Sequence, residues 1–290
     1  MRGPVQVIGG LVALELGATL AKSQFALAGV AAVVALRLTF AAAILGVRFR
    51  LAWRRRRTVP LILGIGGLLA IHHLLFYAAV YRLPLGAAVT IEFCGPLVIA
   101  LTGARRLRQA AWALLAGAGV AAVALAGPGR AATGAGVSAI GLACAAGAGV
   151  AWSGYILTAA ALGRRTDDGR WLAPATAVAA AVTLPIAVAT AGTRLLDWHL
   201  LFTCLVIALL CEVLSYSLQN SALRGLTAAA FSVLTSLEPV VAAILGLLVL
   251  GQRLSWLQVA GIAAVVMASA GHTLAMRDRL VPSQPVTPAD

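Results

Sequence analysis

Charge is scarce in this chain, and acidic charge is scarcer still: nine Asp and Glu stand against 22 Lys and Arg in 290 residues. With 11% charged and 61% hydrophobic residues and a mean hydropathy of +0.98, the composition is far from the roughly half apolar, quarter charged make-up of a soluble domain. A soluble fold is thereby excluded. The motifs of hydrolytic and metal chemistry are missing too. There is no HExxH and no GxSxG, and no aspartate falls inside an apolar run, so no catalytic pair presents itself and neither a metal nor a cofactor is called for. The four cysteines, Cys94, Cys144, Cys204 and Cys211, form no CxxC pair and read as small packing residues. Short alternating strands of the β-barrel kind are also absent.

What remains is a succession of long apolar runs. Residues 58–81, 109–129, 131–163 and 254–276 carry no charge, and each is long enough for a spanning helix of about 20 residues. The pattern predicts an all-α polytopic membrane protein with ten transmembrane helices, near 5–22, 28–47, 59–80, 84–103, 109–127, 137–161, 171–191, 199–218, 227–250 and 254–275. Little is left outside the bilayer for a separate catalytic domain, and the first run reads as a retained helix rather than a cleaved signal.

The basic residues follow this topology. Most fall on one face: Arg2, then Arg48, Arg50 and Arg54 to Arg57, then Arg105, Arg106 and Arg108, then Arg164, Arg165 and Arg170, and further on Arg224, Arg277 and Arg279. The opposite face holds Lys22, Arg82, Arg130, Arg194 and Arg253. By the positive-inside rule both termini are cytoplasmic. The Arg54 to Arg57 run suits anionic lipid headgroups better than nucleic acid. The tail 278–290, with three prolines, reads as a disordered cytoplasmic end.

An internal repeat organises the chain. Trp112-x4-Gly117-x9-Gly127 recurs as Trp256-x4-Gly261-x9-Gly271, and Pro96 and Gly103 recur as Pro239 and Gly246, at an offset of 143 to 144 residues. Two five-helix units follow, 5–127 and 137–275. Because five is odd, the second must enter the membrane inverted with respect to the first, an arrangement suited to alternating access.

Glutamates stand out against the apolar background. Glu92 lies four residues before Pro96, whose missing N–H strands the Glu92 carbonyl, and Glu238 directly precedes Pro239. Such groups survive in hydrocarbon only against protein or a water-filled cavity. Glu15 and Arg37 lie inside the first two runs, as a structural ion pair or as ligands for a solute. In His72-His73, His73 lies at i, i+4 to Tyr77 and either faces the cavity or is satisfied by a neighbouring carbonyl. Trp152 and Tyr155 flank a seam of small residues, Gly141, Ala145, Gly149 and Ser153. Glu212, Tyr216 and Asn220 repeat at spacing four and form one polar stripe.

These features resemble a known family. Two five-helix repeats with a proline in the fourth helix of each are similar to the EamA-type branch of the drug/metabolite transporter superfamily. Gly17 to Ser23, Ala35-Leu36-Arg37-Leu38, Leu83-Pro84-Leu85-Gly86 through Glu92 to Pro96, Tyr216-Ser217-Leu218 and Glu238-Pro239 look like its threonine/homoserine exporter group. The resemblance implies an inner-membrane exporter of small amino acids or related metabolites, driven by protons, in a bacterial cell, as monomer or homodimer. It sets Lys22, Arg37, Glu92 and Glu238 around a central cavity or its gates. Glu212 and Gln219 depart from the family pattern and leave the solute open, so export of small drugs or cations is the alternative, with a channel or a non-transporting membrane partner behind it.

For a zwitterion, Glu92 or Glu15 can meet the ammonium and Arg37 or Lys22 the carboxylate. Substrate contacts are therefore expected from Glu15, Arg37, His73, Tyr77, Glu92, Trp152, Tyr155, Tyr216 and Asn220. Coupling or gating is expected from Lys22, Glu92, Pro96, Glu212, Glu238 and Pro239.

Overall fold

The computed structural model describes residues 2–49, 58–102, 107–125, 138–163, 171–223 and 225–277. The tail 278–290 and most of the loop arginines lie outside them.

Among the described residues the secondary structure is helical throughout. In chain order the elements are α1 (Arg2–Phe49), α2 (Val59–Arg82), α3 (Leu85–Thr102), α4 (Leu107–Leu125), α5 (Ala139–Gly163), α6 (Leu172–Ala191), α7 (Trp198–Ala208), α8 (Tyr216–Leu223), α9 (Ala228–Thr235), α10 (Glu238–Leu250) and α11 (Trp256–Arg277). A π-helical stretch, Leu209–Ser215, joins α7 to α8. Seven helical segments are long and apolar enough to cross a bilayer, and Leu85–Gly95 and Ala111–Leu125 add shorter apolar helices. The chain is a multi-span membrane protein.

Apolar sequence favours helix here because hydrocarbon offers the backbone no partner except itself. Hydroxyl groups in these helices follow the same rule by bonding back one turn. Thr90 donates to the Gly86 carbonyl at 2.6 Å and Thr183 to that of Ala179 at 2.9 Å.

The first helix departs from the expected pair of runs. Instead of a loop over residues 23–27, helix continues to Ala28 and turns at Gly29, whose φ of +79° is one that glycine adopts at little cost. The two arms then run beside the same partner. The Leu14 carbonyl lies 3.6 Å from the Cys211 thiol and the Val33 carbonyl 4.0 Å from that of Cys204. Glu15 and Arg37 are thereby brought to one level.

The two proline helices differ from each other. α3 passes through Pro96 without interruption, although the missing N–H strands the Glu92 carbonyl. The stretch around Pro239 does break, into α9 and α10, with Ser236 and Leu237 forming the turn and Pro239 in the first turn of the new helix. A proline at that position costs no hydrogen bond.

The small-residue seam on α5 lies against α2 and α3. A Cβ on Gly141 would come 3.0 Å from Arg82 and Leu83, and one on Gly149 would come 2.6 Å from the Glu92 carbonyl oxygen. Elsewhere α3 meets α10 where Gly86 touches Ala243, and α4 meets α11 where Gly119 touches Gly261.

Candidate functional site

A cavity of about 260 Å³ opens between α1, α2, α3, α5, α6, the π-helical stretch, α8 and α10. Its volume decides the size of what fits: drug-sized sites occupy roughly 300–1,000 Å³, so this one suits a small metabolite. Ten of the expected residues line it: Glu15, Arg37, His73, Tyr77, Glu92, Trp152, Tyr155, Glu212, Tyr216 and Glu238.

Arg37 is its best-connected cation. The guanidinium donates through Nη2 to Glu212 Oε1 at 2.7 Å and through Nη1 to the Tyr77 hydroxyl, and its centre lies 5.2 Å from the Tyr77 ring centroid. Arg37 and Tyr77 are 3% and 1% exposed, so this is a desolvated network. Phe25 braces it with its ring edge-on to Tyr77 at 5.7 Å. The anticipated Glu15–Arg37 pair does not form. Arg37 engages Glu212, 175 residues away, because α7 and α8 pass between the two arms of α1 and the wide π-helical turn carries Glu212 toward the guanidinium.

Glu15 is left with one carboxylate oxygen, Oε2, buried and without a hydrogen-bond partner, and Arg37 Nε is in the same condition. In a protein interior nearly all such atoms are paired. A donor and an acceptor lacking partners in one cavity are what a bound solute would satisfy.

Glu92 accepts a hydrogen bond from His72 Nε2. His72 was not singled out from the sequence, where His73 was favoured for its alignment with Tyr77. His73 does border the cavity, but its Nδ1 donates to the Leu69 carbonyl at 2.7 Å, the local satisfaction named as the other reading. The His72 ring also stacks on Phe76 (6.0 Å, 13°) and leans on Trp152 (4.9 Å). Trp152 in turn stacks on Tyr155 at 4.7 Å and 12°, giving the cavity an aromatic wall.

Lys22 lies outside the cavity and donates to the Leu83 carbonyl at 2.7 Å. Being seven residues beyond Glu15, it sits about 10 Å further along the helix. Pro96 and Asn220 have side chains outside the described residues. On the α8 face the cavity is lined by Tyr216 and Gln219, and Gln219 donates to Ser215 at 3.0 Å. Pro239 is buried at the start of α10 and sets the place of Glu238, which borders the cavity.

Comparison with known proteins places this arrangement. A family model described as "EamA-like transporter family" matches residues 139–273. A threonine/homoserine exporter RhtA from Salmonella typhimurium (strain SL1344) is 36% identical over 270 residues, covering 91% of this chain and 88% of the relative. The chain belongs to the EamA-like transporter family. The RhtA of Escherichia coli (strain K12) is 35% identical over 273 residues, with 92% and 90% covered. A solved crystal structure, 23% identical, has the same fold, with a TM-score of 0.59 over 96% of this chain and 99% of that one. The EamA-type resemblance read from the motifs is therefore correct, and the family match falls on the half of the chain that carries Glu212 and Glu238.

Proposed function

We propose that this EamA-family protein exports small amino acids or closely related metabolites across the bacterial inner membrane in exchange for protons. In this reading ten segments cross the bilayer as two inverted five-helix halves, 5–127 and 137–275, with both termini cytoplasmic. The halves alternate in exposing the cavity to either side. The contacts of α3 with α10 and of α4 with α11 support the pairing, since each joins corresponding helices of the two halves.

One observation carries the proposal: four glutamates, two from each half, converge on an enclosed cavity of metabolite size together with a single guanidinium. Carboxylates in such excess require compensating positive charge, from protons or from the solute. Both enter the exchange proposed here. Glu92 is the coupling group, with His72 as the base or acid beside it, and Glu15 and Arg37 present their unpartnered atoms to the solute. Lys22, Glu212, Glu238 and the two prolines shape or gate the cavity. The name of the relatives supports threonine or homoserine as the first solutes to try.

A membrane potential supplies about 2.3 kcal/mol per charge per 100 mV, so one proton sustains roughly a tenfold to hundredfold outward gradient of a neutral solute. Proteoliposomes test the reading. Labelled solute should exchange with unlabelled solute in a saturable way, which a channel does not do, and an imposed pH gradient should drive efflux. Glu92→Gln should abolish the pH-driven part while leaving exchange measurable. Unchanged pH-driven efflux in that variant would remove Glu92 from the coupling role.

A further inference from the structure

The charges around the cavity do not balance for a neutral amino acid. Among the described residues Arg37 is the only arginine or lysine on the lining, and its charge is already matched by Glu212 through a 2.7 Å bond, with the Tyr77 hydroxyl taking a second N–H. Two of its five N–H groups are thereby engaged, and the one at Nε has no partner. Glu15, Glu92 and Glu238 are unmatched by any arginine or lysine on the lining. All three border the one cavity. His72, when protonated, offsets only Glu92. The walls add to the imbalance: Trp152, Tyr155, Phe76 and Phe93 border the same space, and ring faces attract ammonium groups.

We infer that the solute of this cavity carries net positive charge, as in an amino acid with a second, basic amine or a small primary diamine. The inference rests on the transport reading above and narrows it. A zwitterion brings one charge of each sign and leaves the carboxylate excess in place, whereas each further ammonium lowers it by one charge. The unpartnered Nε–H of Arg37 suffices to orient a carboxylate where there is one, and the unpartnered Oε2 of Glu15 accepts from an ammonium.

Two measurements on the full-length protein test this, with lysine and 1,4-diaminobutane set against threonine and homoserine. The first is equilibrium binding of each labelled solute to purified protein; the second is counterflow in proteoliposomes. Lysine should bind on the order of tenfold more tightly than threonine. Tighter lysine binding without exchange supports the charge argument and removes transport. Exchange of threonine with no preference for lysine overturns the inference and leaves transport standing. Equal binding of cation and zwitterion, with protons supplying the compensation, also overturns it.

Glu212→Gln sharpens the result by releasing Arg37 to meet a carboxylate. The ratio of lysine to threonine affinity should then fall on the order of tenfold. If that variant does not fold, Glu15→Gln serves in its place and should lower the same ratio by weakening lysine more than threonine. An unchanged ratio in the folded variant counts against the inference.

Discussion

The same proline device sits in both halves of the molecule, and the two halves use it differently. In α3, Gly95 precedes Pro96 and the helix runs on; at the matching place Glu238 precedes Pro239 and the helix stops and restarts. A proline ring collides with the Cβ of the residue before it, and glycine has none. The Glu92 carbonyl left without a donor by Pro96 faces Gly149 on α5, where the backbones approach closely because neither Gly95 nor Gly149 has a side chain. In the second half the turn closes on itself: Ser236 N donates to the Ser232 carbonyl at 3.1 Å and Leu237 N to that of Leu234 at 3.2 Å. A proline therefore does not dictate a break; the neighbour able to cover the stranded carbonyl decides.

The largest effect should come from spoiling that cover. In Gly149→Ala, a Cβ 2.6 Å from the Glu92 oxygen forces α5 away from α3, an overpacking cost of about 1–3 kcal/mol. The melting temperature in detergent should fall clearly. Gly117→Ala, with nothing within 4 Å of the added methyl, should leave it unchanged or slightly raised. Equal melting of the two variants would mean that the α3–α5 crossing does not keep α3 continuous.

Removing each proline is the next test. Pro239→Ala supplies an N–H that can reach back to the Thr235 carbonyl, so α9 and α10 can join as one helix and carry Glu238 around its axis. Solute exchange should drop on the order of tenfold while melting changes little. Pro96→Ala acts on a helix that is already continuous and should change exchange far less. A larger loss from Pro96→Ala would mean that the break at Pro239 is not what sets the cavity for exchange.

How much of this was legible in the sequence follows from the background against which each feature stood. In an apolar run a single glutamate is conspicuous, so Glu15, Glu92, Glu212 and Glu238 could be named before any geometry was known, and the 143-residue offset aligned the prolines. Partners were not legible. Arg37 could be matched with Glu15 by proximity in the chain, but its choice of Glu212 depends on how α7 and α8 thread between the arms of α1. His72 lost to His73 because i, i+4 alignment is a local signal, whereas its bond to Glu92 joins two helices. The π-helical turn likewise left no mark in residue spacing, and Gln219, which lines the cavity, was not among the expected contacts. Composition gives what must be sheltered; packing gives by what.

The smallest expected effect concerns how these two helices begin. α9 is capped by its own Thr227, whose hydroxyl accepts from Ala230 N at 3.2 Å. The matching position in the first half, 143 residues earlier, is Pro84, which has no side-chain acceptor. There Gln252, from the link between α10 and α11, reaches across and accepts from Leu85 N at 2.9 Å, while Lys22 holds the neighbouring Leu83 carbonyl at 2.7 Å. One half thus borrows from the other the cap that its own sequence cannot provide. Gln252→Ala should cost about 1 kcal/mol, the usual worth of an N-cap, and Thr227→Ala should cost a similar amount by a purely local route. The two differ in what else they disturb. Because Gln252 and Lys22 hold adjacent groups of one turn, Gln252→Ala should be non-additive with Lys22→Met in a double-mutant cycle read by melting, whereas Thr227→Ala should add to Lys22→Met without interaction. Additivity in both cycles would mean that the turn at Leu83 to Leu85 is not clamped as a unit, and that each half of the molecule secures its proline helix alone.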